Sequence, residues 1–218
     1  RILLHFDLMK GETTKPMGSF IESNSNPKFR VKAVGSFKQL PGCPDYVYEA
    51  LSEKRIQKIS DGECYHPSDE RYQLERIEII KITPQNSKDE DPSTLIFDTW
   101  KTFECDSNQV ECEIEFTDEN FENQQRDAVY YVRVIEEDTL LVNGSNLRTQ
   151  FDADGHPISV DQCHADYRED YEEECLGPGG HRAWSSPIFV DYKEKVSTDI
   201  MVSELNNISQ ENEESKIN

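Results

Sequence analysis

Apolar and polar residues alternate along several short runs of this chain, and that period of two constrains it more than any other feature, because it matches the pleat of a half-buried strand. In Ile2-Leu-Leu-His-Phe-Asp-Leu-Met9, residues Ile2, Leu4, Phe6 and Leu8 share one face. In "KFRVKAVGSF", Phe29, Val31, Ala33 and Phe37 fall on one side and Arg30 and Lys32 on the other. "YQLERIEIIKITPQ" sets Ile77 and Ile79 against Ile80 and Ile82, so both of its faces are expected to be covered. "TLIFDTW", "ECEIEFTD", "DAVYYVRVIEE" and "RAWSSPIFVDY" follow, which makes seven candidate strands separated by turn residues. In the third of these, Tyr130 and Tyr131 should divide between core and surface. One helix is predicted over residues 45–60, from Val47, Leu51 and Ile59 at helical spacing, Asp45 as a cap and Gly62 as a stop. The expected class is mainly β, an antiparallel sandwich with one inserted helix.

Between the last two strands lie residues 137–181, far more than a hairpin loop needs, and this long insertion is where function is expected. The β domain is expected to span residues 1–192. The polar, charge-rich residues 193–218 cannot bury enough surface to order themselves and are expected to form a flexible tail. The chain starts at Arg1 in a strand-like run, which reads as a cut in a longer polypeptide.

A formal net charge of −21 repels phosphate backbones and anionic headgroups, which argues against nucleic acid and membrane surfaces as partners. No apolar run reaches the length of a membrane span. Six cysteines fall into three local couples, Cys43 with Cys64, Cys105 with Cys112 and Cys163 with Cys175. Many connectivities are open in principle. Local pairing is the economical expectation, since each couple brackets a polar, turn-rich excursion. Disulfides in turn imply an oxidising compartment: the periplasm, the cell surface or the exterior.

The insertion holds the richest polar cluster. "DADG" at Asp152 to Gly155, with Asp161 and Asp166, offers the hard oxygen ligands that calcium prefers, which makes Asp152, Asp154, Asp161 and Asp166 candidate ligands. The spacing is not that of an EF-hand loop, and the same residues suit a hairpin turn between "LRTQF" and "PISV". The histidines His5, His66, His156, His164 and His181 are scattered, and only His164 and Asp166 resemble a ligand pair. Ser185, Ser186 and His181 lack a nucleophile elbow, so no triad is expected. In "RAWSSPIFV", Trp184 is expected to bury its ring against the sheet, with Pro187 suited to an edge strand. The competing reading makes Arg182 and Trp184 a stacking surface for a sugar or peptide.

"AVYYVRV" followed by "AWSSPIFV" resembles the penultimate and final strands of fibronectin type III and related immunoglobulin-like sandwiches. On a larger scale, "RILLHFDL" leading to "PMGS", "FRVKAVGSFKQLPGCPDYV", "GECYHPSDERYQLERIEIIKITPQ", "DAVYYVRV" and "RAWSSPIFV" resemble, in consistent order from Arg1 to Tyr192, the C-terminal portion of a bacterial family known only as a domain of unknown function, number 3604. In that family the portion follows a part similar to PHP domains, the metal-dependent phosphoesterases named after polymerase and histidinol phosphatase. The resemblance implies an accessory domain whose partner is an upstream PHP-like domain carrying divalent metals. The His and Asp clusters of that chemistry have no counterpart here, so this chain alone is expected to catalyse nothing and to hold no cofactor. The alternative expectation is a free-standing extracytoplasmic module that binds calcium or a glycan through residues 137–181.

Overall fold

The computed structural model describes residues 1–161 and 175–194. Its strands are β1 (Leu3–Lys10), β2 (Thr13–Pro16), β3 (Phe20–Ser23), β4 (Lys28–Val34), β5 (Phe37–Gln39), β6 (Pro67–Arg71), β7 (Leu74–Ile82), β8 (Ile96–Glu104), β9 (Glu111–Thr117), β10 (Ala128–Val142), β11 (Thr149–Phe151), β12 (Pro157–Val160), β13 (Leu176–Trp184) and β14 (Ile188–Tyr192). Three short helices interrupt them, α1 (Asp45–Ala50), α2 (Glu53–Ser60) and α3 (Phe121–Gln124). The protein is mainly β. One large sheet has the order β2-β1-β4-β9, a larger one has the order β3-β14-β10-β7-β8 with β13 also paired to β10, and β5 with β6 and β11 with β12 form two-stranded ladders. All pairings are antiparallel except β3 with β14, which is parallel.

The alternation read from the sequence places the core. Phe6 and Leu8 of β1, Phe29, Val31 and Ala33 of β4, and Phe116 of β9 face Ile77 and Ile79 of β7, Tyr130, Val132 and Val134 of β10, and Ile188 and Val190 of β14 in one cluster. A ring contact bridges the two layers, with Phe29 at 4.7 Å from Tyr130, while Phe29 stacks 5.0 Å from Phe116 within its own sheet. Tyr131, the neighbour of the buried Tyr130, is half-buried on the other face. Arg30 and Lys32 turn outward, where the register sets them across from Glu115 and Glu113. β7 is covered on both faces, with Ile77, Ile79 and Ile80 all inaccessible.

Its third inward residue is a lysine. Lys81 is buried with its Nζ 2.5 Å from Oδ2 of the buried Asp118, which also accepts the Tyr130 hydroxyl at 2.6 Å. Burial favours the neutral acid, but the bonds and charge supplied by Lys81 and Tyr130 outweigh it and hold the Asp118 carboxyl below its ordinary range.

Three expectations change. Residues 45–60 form two helices, because Leu51 is extended (φ −131°, ψ 145°) and Ser52 begins a second helix. Asp45 lies in the first turn behind Pro44, Leu51 and Ile59 are exposed, and Ile56 is the helical residue that reaches the interior. The stop is Asp61, in the left-handed region at φ 54°, followed by Gly62. Residues 137–181 contain strands: β10 runs on to Val142 and pairs with β13 through Asp138–Val142 and Leu176–Gly180, with β11 and β12 forming a further hairpin. "RAWSSPIFV" is two strands, as β13 ends at Trp184 and β14 begins at Ile188, both on the same edge of β10. At the break Ser185 keeps the ladder closed, donating its N–H to Val132 O and accepting the Val132 N–H on its hydroxyl, both at 3.0 Å. Pro187 therefore sits in a break between strands, where its missing donor costs nothing.

Cys43–Cys64 and Cys105–Cys112 are disulfides, with Cα separations of 4.7 and 5.7 Å. The second closes the crossing from β8 of one sheet to β9 of the other. Cys175 is also disulfide-bonded, and Cys163 lies outside the described residues. Residues 195–218 of the expected tail lie outside them too. No helix among the described residues is long and apolar enough to cross a membrane.

Two measurements test this packing. Gly180 lies so close to β10 that an added Cβ would stand 2.2 Å from Glu136 O. Gly180→Ala is expected to lower stability in urea by about 1–3 kcal/mol, the range for overpacking. On the outer face of β7, Glu78 accepts from Arg76 Nε at 2.7 Å and from Arg133 Nε at 2.5 Å. Burial would raise its pKa, but the two arginines outweigh it and hold the carboxyl below the usual range. A lowered pKa stabilises fully above the unfolded value of about 4.3 and is lost as pH falls through the folded value. The stability gap between the wild type and Glu78→Gln should therefore be full at neutral pH and shrink on acidification below about pH 4.

Candidate functional site

Among the described residues β13 pairs with β10 alone, and the residues at its end line a cleft. That cleft, about 570 Å³, is bounded by His181, Arg182 and Trp184 of this strand, Ser36 and Phe37 at the start of β5, Tyr72 before β7, and Arg1 with Ile2 ahead of β1. A second cleft of about 470 Å³ shares Arg1 and Phe37 and adds Leu3, Tyr65 and Arg71. The two adjoin at the start of β1. They bring three arginines together on a chain whose formal charge is otherwise strongly negative.

At the base of the larger cleft lies Glu136. Ala128, Tyr130, Val132 and Val134 are the inward residues of β10, and beyond them a bulge at Ile135 and Glu136 buries both residues, leaving the Glu136 carboxylate with no exposed surface. Ser36 satisfies it, donating its N–H to Oε1 at 2.5 Å and its hydroxyl to Oε2 at 3.1 Å. Among the described residues no Lys, Arg or His nitrogen lies within ion-pair distance of it. The Ser36 loop is held in turn by Tyr72 N–H, which donates to Ser36 O at 2.9 Å, and by Arg71, which donates to Gly35 O at 2.5 Å while stacking 3.7 Å over the Phe37 ring. Gly35 is required there, because a Cβ would meet Tyr72 O at 2.0 Å.

Trp184 corrects an expectation. The residue is 57 % exposed and lines the cleft, so its ring is not buried against the sheet. Tyr65 at 67 % and Leu3 at 51 % extend the apolar surface past Arg1. Single exposed apolar side chains mean little, but a contiguous set marks a surface that contacts something. His181, 6.2 Å from the Tyr72 ring, is separated in role from Ser185, whose hydroxyl is used in the β10 ladder.

The acidic residues of the insertion form a turn. Asp152, Asp154 and His156 place one ligand atom each within 4.8 Å of one another, all on exposed side chains. Asp152 Oδ1 accepts the N–H groups of Asp154 at 2.9 Å and His156 at 2.8 Å, and Gly155 takes φ +82° to close the β11–β12 hairpin. Asp161 stands apart from this group: its carboxylate oxygens lie 3.3 and 3.4 Å from Gln150 Nε2. Asp166 and His164 lie outside the described residues.

No protein-family model, curated protein or solved structure matches the chain. Sequence reasoning reached Arg182 and Trp184 and missed Glu136, Ser36 and Tyr72. Alternation could not point to Glu136, because β10 is bulged between Ile135 and Glu136 and both are buried.

Trp100 is half-buried against the core and Trp184 is exposed. Acrylamide is therefore expected to quench mainly Trp184, and Trp184→Phe should remove most of the quenchable emission while leaving the melting temperature within a few degrees of the wild type.

Proposed function

We propose that this chain is a non-catalytic, immunoglobulin-like accessory domain that docks onto a PHP-like metal-dependent hydrolase domain preceding it in the same polypeptide and shapes access to that domain's metal site. The observation that carries the reading is the pair of adjoining clefts at Arg1, where Leu3, Tyr65 and Trp184 are exposed beside Arg71 and Arg182 at the point where an upstream domain would join. Aromatic and arginine side chains are the residues that anchor protein interfaces. The family resemblance of the motifs from Arg1 to Tyr192 supplies the partner.

The strand order supports the immunoglobulin-like assignment. β1-β4-β9 opposed to β14-β10-β7-β8 follows the A-B-E and G-F-C-C′ plan, and Tyr130 near the start of β10 resembles the tyrosine corner of strand F. The hydroxyl here bonds a side-chain carboxylate, and the sheets are not joined by the inter-sheet disulfide of antibody domains. The disulfides support a periplasmic, cell-surface or secreted location.

The test begins with the gene. A coding region upstream of Arg1 with His and Asp metal motifs is expected, and its absence would sink the proposal. In the longer chain, Trp184 should be protected from acrylamide relative to the 218-residue chain, and Trp184→Ala combined with Tyr65→Ala should lower the longer chain's melting temperature. Equal quenching in both chains would show that this face is not the contact.

One observation favours a second reading. Trp184 beside Tyr72, Arg182 and the cleft has the make-up of a stacking platform for a sugar. A glycan ligand would shift Trp184 emission in the 218-residue chain alone, which docking to an upstream domain would not do.

A further inference from the structure

The buried charges between the sheets belong neither to the cleft nor to the docking face. Lys81 and Asp118 have side chains 4 % and 1 % exposed, and Lys81 Nζ stands 2.5 Å from Asp118 Oδ2. Around them are the rings of Trp100, at 5.3 Å from Nζ, and Tyr130, at 5.9 Å. Each polar atom of the pair is held: Tyr130 donates its hydroxyl to Oδ2 at 2.6 Å, Asn120 its N–H to Oδ1 at 3.1 Å, and Nζ donates to Gln124 Oε1 at 2.8 Å.

An ion pair in such a place is poorly rewarded, because removing both charges from water costs about as much as their attraction returns. It is also a set of reactants. An amine nitrogen held against a carboxyl group in a dry site has the proximity that makes a slow bimolecular condensation fast. The surrounding donors match what the reaction needs, since hydrogen bonds aimed at the carboxyl oxygens stabilise the charge that develops there as a tetrahedral centre forms.

We propose that Lys81 and Asp118 condense into an intramolecular isopeptide bond, a covalent staple between β7 of one sheet and the segment that leaves β9 of the other. The ammonium of Lys81 passes one proton to Asp118 Oδ2, leaving a neutral amine and a neutral acid. The Nζ lone pair forms a bond to Cγ, with the Asn120 N–H on Oδ1 and the Tyr130 hydroxyl on Oδ2. A second proton moves from Nζ to Oδ2, the Cγ–Oδ2 bond breaks and water departs. The product is a neutral amide whose remaining N–H is aimed at Gln124 Oε1. Nothing is oxidised or reduced, and the step consumes no partner beyond the two side chains. Tyr130 and Asn120 are positioning residues.

Intact mass of the reduced, denatured 218-residue chain tests this directly. The wild type is expected one water lighter than its sequence, and a protease digest should contain a branched peptide joining the segments around Lys81 and Asp118. Lys81→Arg and Asp118→Ala should both carry the full mass. Asp118→Asn should cross-link with loss of ammonia in place of water, which keeps the test alive where a variant that removes the carboxyl fails to fold. Tyr130→Phe should slow the mass change in freshly refolded protein without altering the end product. A wild-type chain at full sequence mass overturns the proposal. So does a water loss that persists in Lys81→Arg, which would place the change elsewhere.

Discussion

The register of β10 is the constraint on which the rest of the structure depends. This strand pairs with β7 on one side and with β14 and then β13 on the other, so three strands of the larger sheet take their alignment from one element. Its inward residues Ala128, Tyr130, Val132 and Val134 supply a whole wall of the core. A slip of one residue would carry Tyr131 and Arg133 inward and expose every one of them. Tyr130 pins the register chemically as well. Its ring packs on Phe29 of the opposite sheet, and its hydroxyl has one acceptor, Asp118, placed by the end of β9. Burial and the adjoining carboxylate push the phenol pKa far above its usual value, which keeps the hydroxyl protonated as a donor.

The polar groups sort by how far water can reach them. On the outer face of the smaller sheet, Lys28 with Glu115 and Lys32 with Glu113 are exposed pairs that contribute little beyond solubility. On the larger sheet, Glu78 between two arginines is nearly dry and is met on both sides. Inside, Lys81 with Asp118 and Glu136 with Ser36 close the two ends of the β10 inner row, one by opposite charge and the other by neutral donors alone. The core is thus apolar along its length and polar where it ends, and one of those ends opens into the cleft beneath Trp184.

How far the chain could be read in advance depended on whether a feature was local. Ile2 to Leu8, Phe29 to Ala33 and Ala128 to Val134 announce their inward faces by alternation, and six of the seven expected strands are where that pattern placed them, the seventh being split at Ser185 to Pro187. Leu51 misled because helical spacing counts positions and cannot see an extended residue between two helices. Lys81 was legible by parity with Ile77 and Ile79, yet a lysine in an alternating run is ordinarily read as the outward residue. Trp184 failed for a different reason. Whether a tryptophan is covered depends on a neighbour strand, and among the described residues β13 has none on its outer edge. The cleft was invisible for the same cause, since Ser36, Tyr72 and Glu136 are far apart in the sequence and meet only because Gly35 and Gly180 let three backbones approach.

The parallel pairing of β3 with β14 also bears on when the protein can fold. Phe20 lies alongside Phe189, their rings stacked at 4.3 Å, so an edge of the larger sheet is sealed by partners separated by nearly the whole described chain. Ile188 and Val190 complete the core from that last strand, and until they are made Phe6 and Phe29 have no full cover. Contacts this distant are slow to form and cannot be anticipated by a partial chain. A native core therefore cannot close until the residues of β14 are available to pair with β3 and β10.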